Sequence, residues 1–238
     1  MVQSMNKYWT TEAEYFHKID NVERDVLLPY VSEIINELSP EKLLDYGCGR
    51  GHLASFIKKE TEISLYDINP DVINEYQQWN ISNVVIPIKD KNKIKKNYYD
   101  VVVQISVLMC VPTLEEIREI FKENYTALQN GGNLIVVVTH PCFLHYPFGH
   151  YYTSLNHDNF TYLKSSAEYQ VYMKQPDKEP IVFTDFNWSL STIINEIIKT
   201  GFSITKMIEH PDLKSKYFEP NNLIAPWLFL IGKKLNEF

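Results

Sequence analysis

The run Leu43-Leu44-Asp45-Tyr46-Gly47-Cys48-Gly49-Arg50-Gly51-His52-Leu53 sets three alternating glycines two residues after an acid, at the end of an apolar stretch. Glycine lacks a Cβ, so Gly47 and Gly49 let the backbone turn sharply and let a ligand rest on main-chain atoms. A turn built for a dinucleotide pyrophosphate reads Gly-x-Gly-x-x-Gly, and its last glycine would fall at position 52, where this chain carries His52. The Asp45 carboxylate beside such a turn repels phosphate and attracts a cation. An amine or a sulfonium therefore suits this place better than a diphosphate. Further along, Asp67 and Asp90 each follow an apolar run, and His140 ends one, directly before Pro141. A neutral imidazole at such a rim is suited to take a proton from a hydroxyl or an amine.

The glycine turn and its acid resemble motif I of the class I S-adenosylmethionine-dependent methyltransferases, in particular their small-molecule, type 11-like members. The resemblance extends over residues 22–140 and 188–238. It implies that Asp45, Gly47, Cys48 and Gly49 cradle S-adenosyl-L-methionine. It also implies that Asp67, with Ile68 beside it, holds the ribose hydroxyls, two neutral donors that one ionised carboxylate binds well. Asp90 falls where the family places an acid near the adenine amino group. The stretch Tyr99 to Leu108 resembles the fourth-strand motif, so Gln104 and Ile105 are expected against the methionine moiety. Gly131-Gly132-Asn133 followed by Leu134 to Val138 resembles the turn into the family's fifth strand. The implied fold is α/β and Rossmann-like, with a seven-stranded, mostly parallel sheet, helices on both faces and an antiparallel last strand. The cofactor would lie across the carboxyl ends of the strands.

The elements that must carry these residues are legible as apolar runs. Leu43–Tyr46, Ile63–Ile68, Val84–Ile88, Val101–Ile105 and Leu134–Val138 read as strands covered on both faces. Asn69-Pro70 marks the start of a helix reaching about Trp79, because asparagine caps and proline suits the first helical position. Thr113 and Glu116 have the spacing of a capping box, ahead of a helix that ends by Gly131. A further helix is expected over Ser191–Thr200, and Val26, Leu27, Tyr30, Val31, Ile34 and Leu38 outline an amphipathic one near the amino terminus. Final strands are expected near Phe202–Ile208 and Trp227–Ile231.

After the fifth strand the alternation stops. Residues 141–187 carry no helical period, and twelve aromatic rings lie between Phe143 and Trp188. This segment reads as an inserted flap that lines the acceptor pocket, with His145, Tyr151 and Tyr152 as substrate-binding candidates. Tyr8 and Trp9, also substrate-binding candidates, resemble part of an amino-terminal lid over the cofactor, within a lid and helix spanning residues 1–40. His140 is the candidate base, with Tyr151, Tyr152 and His145 as alternatives. The run Lys89, Lys91, Lys93, Lys95 and Lys96 reads as a solvated loop. No metal site is expected, since the histidines and cysteines show no regular ligand spacing.

The chain has 238 residues and a net charge of −7, which disfavours nucleic acid as a partner. Its longest purely aliphatic run, Leu134 to Val138, is too short to span a membrane. The first ten residues lack a basic-then-apolar layout, so a cytoplasmic location is expected. Cys48, Cys110 and Cys142 are too few and too scattered for a disulfide framework. A single methyltransferase domain acting on an oxygen or nitrogen of a small aromatic or heterocyclic molecule is the expectation. The alternatives are a tRNA or protein methyltransferase, an NAD-dependent oxidoreductase and a non-catalytic binding module.

Overall fold

The computed structural model describes residues 22–58, 60–175, 178–209 and 224–235. The first strand, β1 (Lys42–Tyr46), forms because Leu43 and Leu44 are fully buried between layers. It is flanked on one side by β2 (Glu62–Tyr66) and β3 (Val84–Ile88), on the other by β4 (Tyr99–Ile105) and β5 (Leu128–Thr139). These five strands run parallel to one another. Two late strands, β9 (Phe202–Glu209) and β10 (Trp227–Lys234), complete the sheet in the order β3-β2-β1-β4-β5-β10-β9, and β10 runs antiparallel to both its neighbours. The order reverses at β1 and β4, so a crevice opens beyond their carboxyl ends.

Helices cover both faces. α1 (Leu28–Leu38) follows a wider helical turn, Glu23–Leu27, and buries Val31, Ile34 and Ile35. α3 (Leu114–Ala127) starts at the expected cap, where Thr113 Oγ1 accepts from Glu116 N–H at 3.3 Å. It ends four residues before Gly131, because the chain turns straight into β5 and the glycines lie inside that strand. α4 (Leu190–Lys199) is capped by Ser189, which accepts from Thr192 N–H. The helix expected from Pro70 to Trp79 is divided: α2 (Pro70–Ile73) gives way to a tighter 3₁₀ segment, Asn74–Gln78. The lysine loop is not simply solvated, since Lys91 pairs with Glu123 at 2.5 Å.

Residues 141–187 differ most from the expectation of an irregular flap. They build a second, antiparallel sheet from β6 (Tyr151–Thr153), β7 (Ala167–Gln175) and β8 (Lys178–Asn187). On β8, Ile181, Phe183, Asp185 and Asn187 are buried at alternate positions, the period of a strand with one face inward. Tyr151, Met173, Ile181 and Phe183 share one apolar cluster with Val22, Leu27 and Trp227. The second sheet is thereby packed on the amino-terminal helical turn and on the start of β10, above the crevice. Among the described residues, no helix is long and apolar enough to cross a membrane.

Candidate active site

From β1 the chain leaves the sheet through Gly47 and Gly49, whose φ angles are +81° and +51°. A Cβ at Gly47 would stand 2.4 Å from Val107 Cγ2, so only glycine fits between β1 and the segment after β4. At Gly49 a Cβ would meet nothing within 4 Å, because that side of the turn opens on a cavity of about 420 Å³. The turn is held to β2: Gly47 and Cys48 donate their N–H groups to the Tyr66 carbonyl at 2.7 and 3.0 Å. Gly49 N–H donates to Asp67 Oδ2 at 2.9 Å, and Asn69 N–H donates to Asp67 Oδ1 at 2.9 Å. Each Asp67 oxygen keeps a further lone pair, and the residue lines the cavity. Burial raises the Asp67 pKa, and the two N–H donors oppose that rise.

Asp45 lies deeper, 3% exposed, at the same cavity wall. Its carboxyl has no hydrogen-bond partner among the described residues. Burial, and then the nearby Asp67 carboxylate, push its pKa up to about 7. Two of the cations on the wall are already engaged, Arg50 with Glu75 and Lys91 with Glu123, each at 2.5 Å. A buried carboxyl without a cation is costly when ionised, and a cationic ligand removes that cost. The residues therefore fit S-adenosylmethionine: a bare glycine edge, Asp67 for vicinal hydroxyls, and Asp45 facing a charge of opposite sign.

A second, smaller cavity of about 60 Å³ lies under the three-stranded sheet. Glu23, Ser106 and Cys110 line both cavities, so the two adjoin across these residues. Ser106 has φ +57°, a left-handed conformation that a non-glycine residue rarely adopts and that clusters at functional sites. Tyr146, Phe148, Tyr151, Tyr152, Tyr169 and Asp185 form the far walls.

Of the cofactor residues expected from the sequence, Asp45, Gly47, Cys48, Gly49, Asp67, Ile68 and Ile105 line the larger cavity. Gln104 does not. Successive strand residues face opposite sides, so with Ile105 toward the cavity, Gln104 points into the other layer, fully buried. Neither its Oε1 nor its Nε2 has a partner among the described residues. Asp90 is also outside the cavity: it is exposed and caps the 3₁₀ turn Lys91–Lys93 by accepting from Asn92 N–H at 3.0 Å. Tyr151 and Tyr152 line the smaller cavity, whereas His145 stacks on Phe160 with centroids 4.7 Å apart and lines neither. Tyr8 and Trp9 lie outside the described residues.

His140 requires the clearest correction. It is 3% exposed and lines neither cavity. Cys142 N–H donates to its Nδ1 at 3.2 Å, which places the ring proton on Nε2, 3.0 Å from Glu209 Oε1. Both nitrogens are engaged within the protein, so the imidazole ties the end of β5 to the end of β9 and faces neither cavity. Missing from the sequence reading were Glu23, Ser106, Cys110 and Asp185. The strand period through Ile181, Phe183, Asp185 and Asn187 was the available signal for Asp185, obscured by the acid at an inward position.

Residues 44–134 match the family model described as a methyltransferase domain. No curated protein matches the sequence. Among solved structures, the CcbJ methyltransferase of Streptomyces caelestis superposes with a TM-score of 0.67 at 13% identity, covering 98% of this chain and 99% of its own. SAM-bound CalS10 of Micromonospora echinaspora, an amino pentose methyltransferase, gives 0.59 at 13% identity, with coverages of 94% and 95%. The 1,6-didemethyltoxoflavin-N1-methyltransferase of Burkholderia thailandensis, with 1,6-didemethyltoxoflavin and S-adenosylhomocysteine bound, gives 0.57 at 13%, covering 96% of this chain and 87% of its own.

Proposed function

We propose that the chain, whose residues 44–134 match a methyltransferase domain and whose fold is shared with S-adenosylmethionine-dependent methyltransferases, methylates an oxygen or nitrogen of a small molecule. The observation that carries this reading is the pair of adjoining cavities, one edged by the glycine turn and its two acids, the other walled by aromatic rings. The larger takes the methyl donor and the smaller takes the acceptor. A methyl group on a positively charged sulfur is already activated, so the protein's task is alignment rather than covalent catalysis. Asp67 and the Gly49 edge fix the donor's ribose end, and Asp45 neutralises its charge. Ser106 and Cys110, at the junction, set where the acceptor atom stops.

The aromatic walls favour a ring-bearing acceptor, and Tyr146, Tyr151 and Tyr152 combine apolar faces with polar tips. Two fold neighbours support a small acceptor: CalS10 is an amino pentose methyltransferase, and the B. thailandensis structure holds 1,6-didemethyltoxoflavin. The test is calorimetric titration with S-adenosylmethionine, S-adenosylhomocysteine and NAD. Binding of the first two alone is expected. Binding of NAD alone, or of none, would overturn the reading.

A further inference from the structure

We infer that the acceptor is an amine, and that Asp185 and Glu23 hold its ammonium head where the two cavities adjoin; this assignment rests on the methyltransferase reading. Asp185 occupies an inward position of β8, between the buried Phe183 and Asn187, where an apolar residue would complete the core. It is 9% exposed and lines the smaller cavity, and among the described residues the one side-chain hydrogen-bond partner of its carboxyl is the Cys110 thiol, whose Sγ lies 3.9 Å from Oδ1. A thiol is a weak donor and does not compensate a buried carboxylate. Glu23 faces the same space from the amino-terminal helical turn and lines both cavities.

The hydroxyls of Tyr169 and Tyr151 supply an independent observation. These residues are 3% and 9% exposed, they line the same cavity, and neither hydroxyl has a hydrogen-bond partner among the described residues. Oxygen acceptors thus converge from three strands and a helical turn on one small space, which no Lys, Arg or His lines among the described residues. An ammonium offers three donors and a positive charge. It satisfies the Asp185 carboxylate and the phenol oxygens together beside Glu23, and the surrounding ring faces stabilise a cation further. A carboxylate ligand would be repelled, and an alcohol would leave the Asp185 charge unmatched.

The same groups prepare the nitrogen. Burial, together with Glu23, pushes the Asp185 carboxyl up to about 7, and burial does the same for Glu23. An ammonium has no free lone pair, so its proton passes first to a carboxylate of the pair. The nitrogen lone pair then forms the new N–C bond while the C–S bond breaks with both electrons remaining on sulfur, and the carboxyl proton passes to water as the methylated amine departs.

The test uses the full chain saturated with S-adenosylhomocysteine, titrated by calorimetry with cyclohexylamine, cyclohexanol and cyclohexanecarboxylate. The amine is expected to bind at least tenfold more tightly than either analogue. Asp185→Asn and Glu23→Gln, each checked for an unchanged thermal midpoint and unchanged S-adenosylhomocysteine affinity, should each remove most of that preference. Absent binding of the amine, equal affinity for the alcohol, or a full preference in both variants would overturn the assignment. Failure of S-adenosylhomocysteine to bind would instead sink the methyltransferase reading, and is seen in the first titration.

Discussion

The Asp67 carboxylate accepts the Gly49 N–H at 2.9 Å, so the acid at the end of one strand holds the glycine turn at the end of its neighbour. Binding acid and binding edge are therefore one unit. Asp67→Ala removes both the proposed acceptor of the ribose hydroxyls and the tether of the turn, and is expected to weaken S-adenosylmethionine more than tenfold in a calorimetric titration. Asp67→Asn keeps one oxygen toward Gly49 and should fall between the two. Unchanged affinity in the alanine variant would refute the assignment.

Gly47 tests the geometry of the same turn. Alanine there combines a left-handed φ of +81° with a 2.4 Å approach to Val107 Cγ2. The expected loss is about 2–5 kcal/mol in urea unfolding. Adding Val107→Ala should recover the overlap but leave about 1–2 kcal/mol of backbone strain. A double variant no better than the single one would show that Val107 is not the obstacle.

His140→Ala is expected to lower stability by about 1–3 kcal/mol, through loss of its links to Glu209 and Cys142, with kcat changed by less than about twofold. A steady-state assay beside a urea melt separates the two effects. Loss of turnover at full stability would restore His140 as a base.

Gln104→Met replaces an amide whose two polar atoms find no partner with an apolar side chain of similar length. Stability should be unchanged or rise by about 1–2 kcal/mol, and S-adenosylmethionine affinity should stay constant. A drop in affinity would place Gln104 back in the cofactor site.

The pH dependence follows from the buried acids. Asp45, Glu23 and Asp185 are each pushed up to about 7, so between about pH 4 and pH 7 the folded state holds protons that the unfolded chain has released. Stability of the ligand-free protein therefore falls as pH rises through that window, and the cost is constant above it. His140 acts in the opposite sense. Burial lowers its pKa despite Glu209, so its neutral form costs stability below about pH 6.5. Thermal midpoints from about pH 5 to pH 8 should show Asp45→Asn flattening the fall toward neutrality, and saturating S-adenosylmethionine should flatten it likewise. An unaltered slope in the variant would show that Asp45 ionises freely without a cation.

Local chain chemistry alone decided much of this protein. The apolar runs of β1 to β5, the Asn69-Pro70 and Thr113 caps, and the glycine turn all depend on neighbours within a few residues, so their spacing could be read directly. The proposed donor site was legible there too, because Asp45, Gly47, Cys48, Gly49, Asp67, Ile68 and Ile105 line one cavity at consecutive strand ends that a parallel sheet brings together. Only the folded chain decided the proposed acceptor side. The aromatic segment became a sheet because β6, β7 and β8 pair with one another, and that pairing is non-local. His140 was withdrawn by Glu209, a partner on another strand, and Gln104 by the side of β4 on which Ile105 happened to face the cavity. Glu23 and Asp185 face one cavity because the second sheet packs on the amino-terminal turn. Such meetings depend on which surfaces exclude water together, a property of the whole assembly of layers that no window of sequence contains.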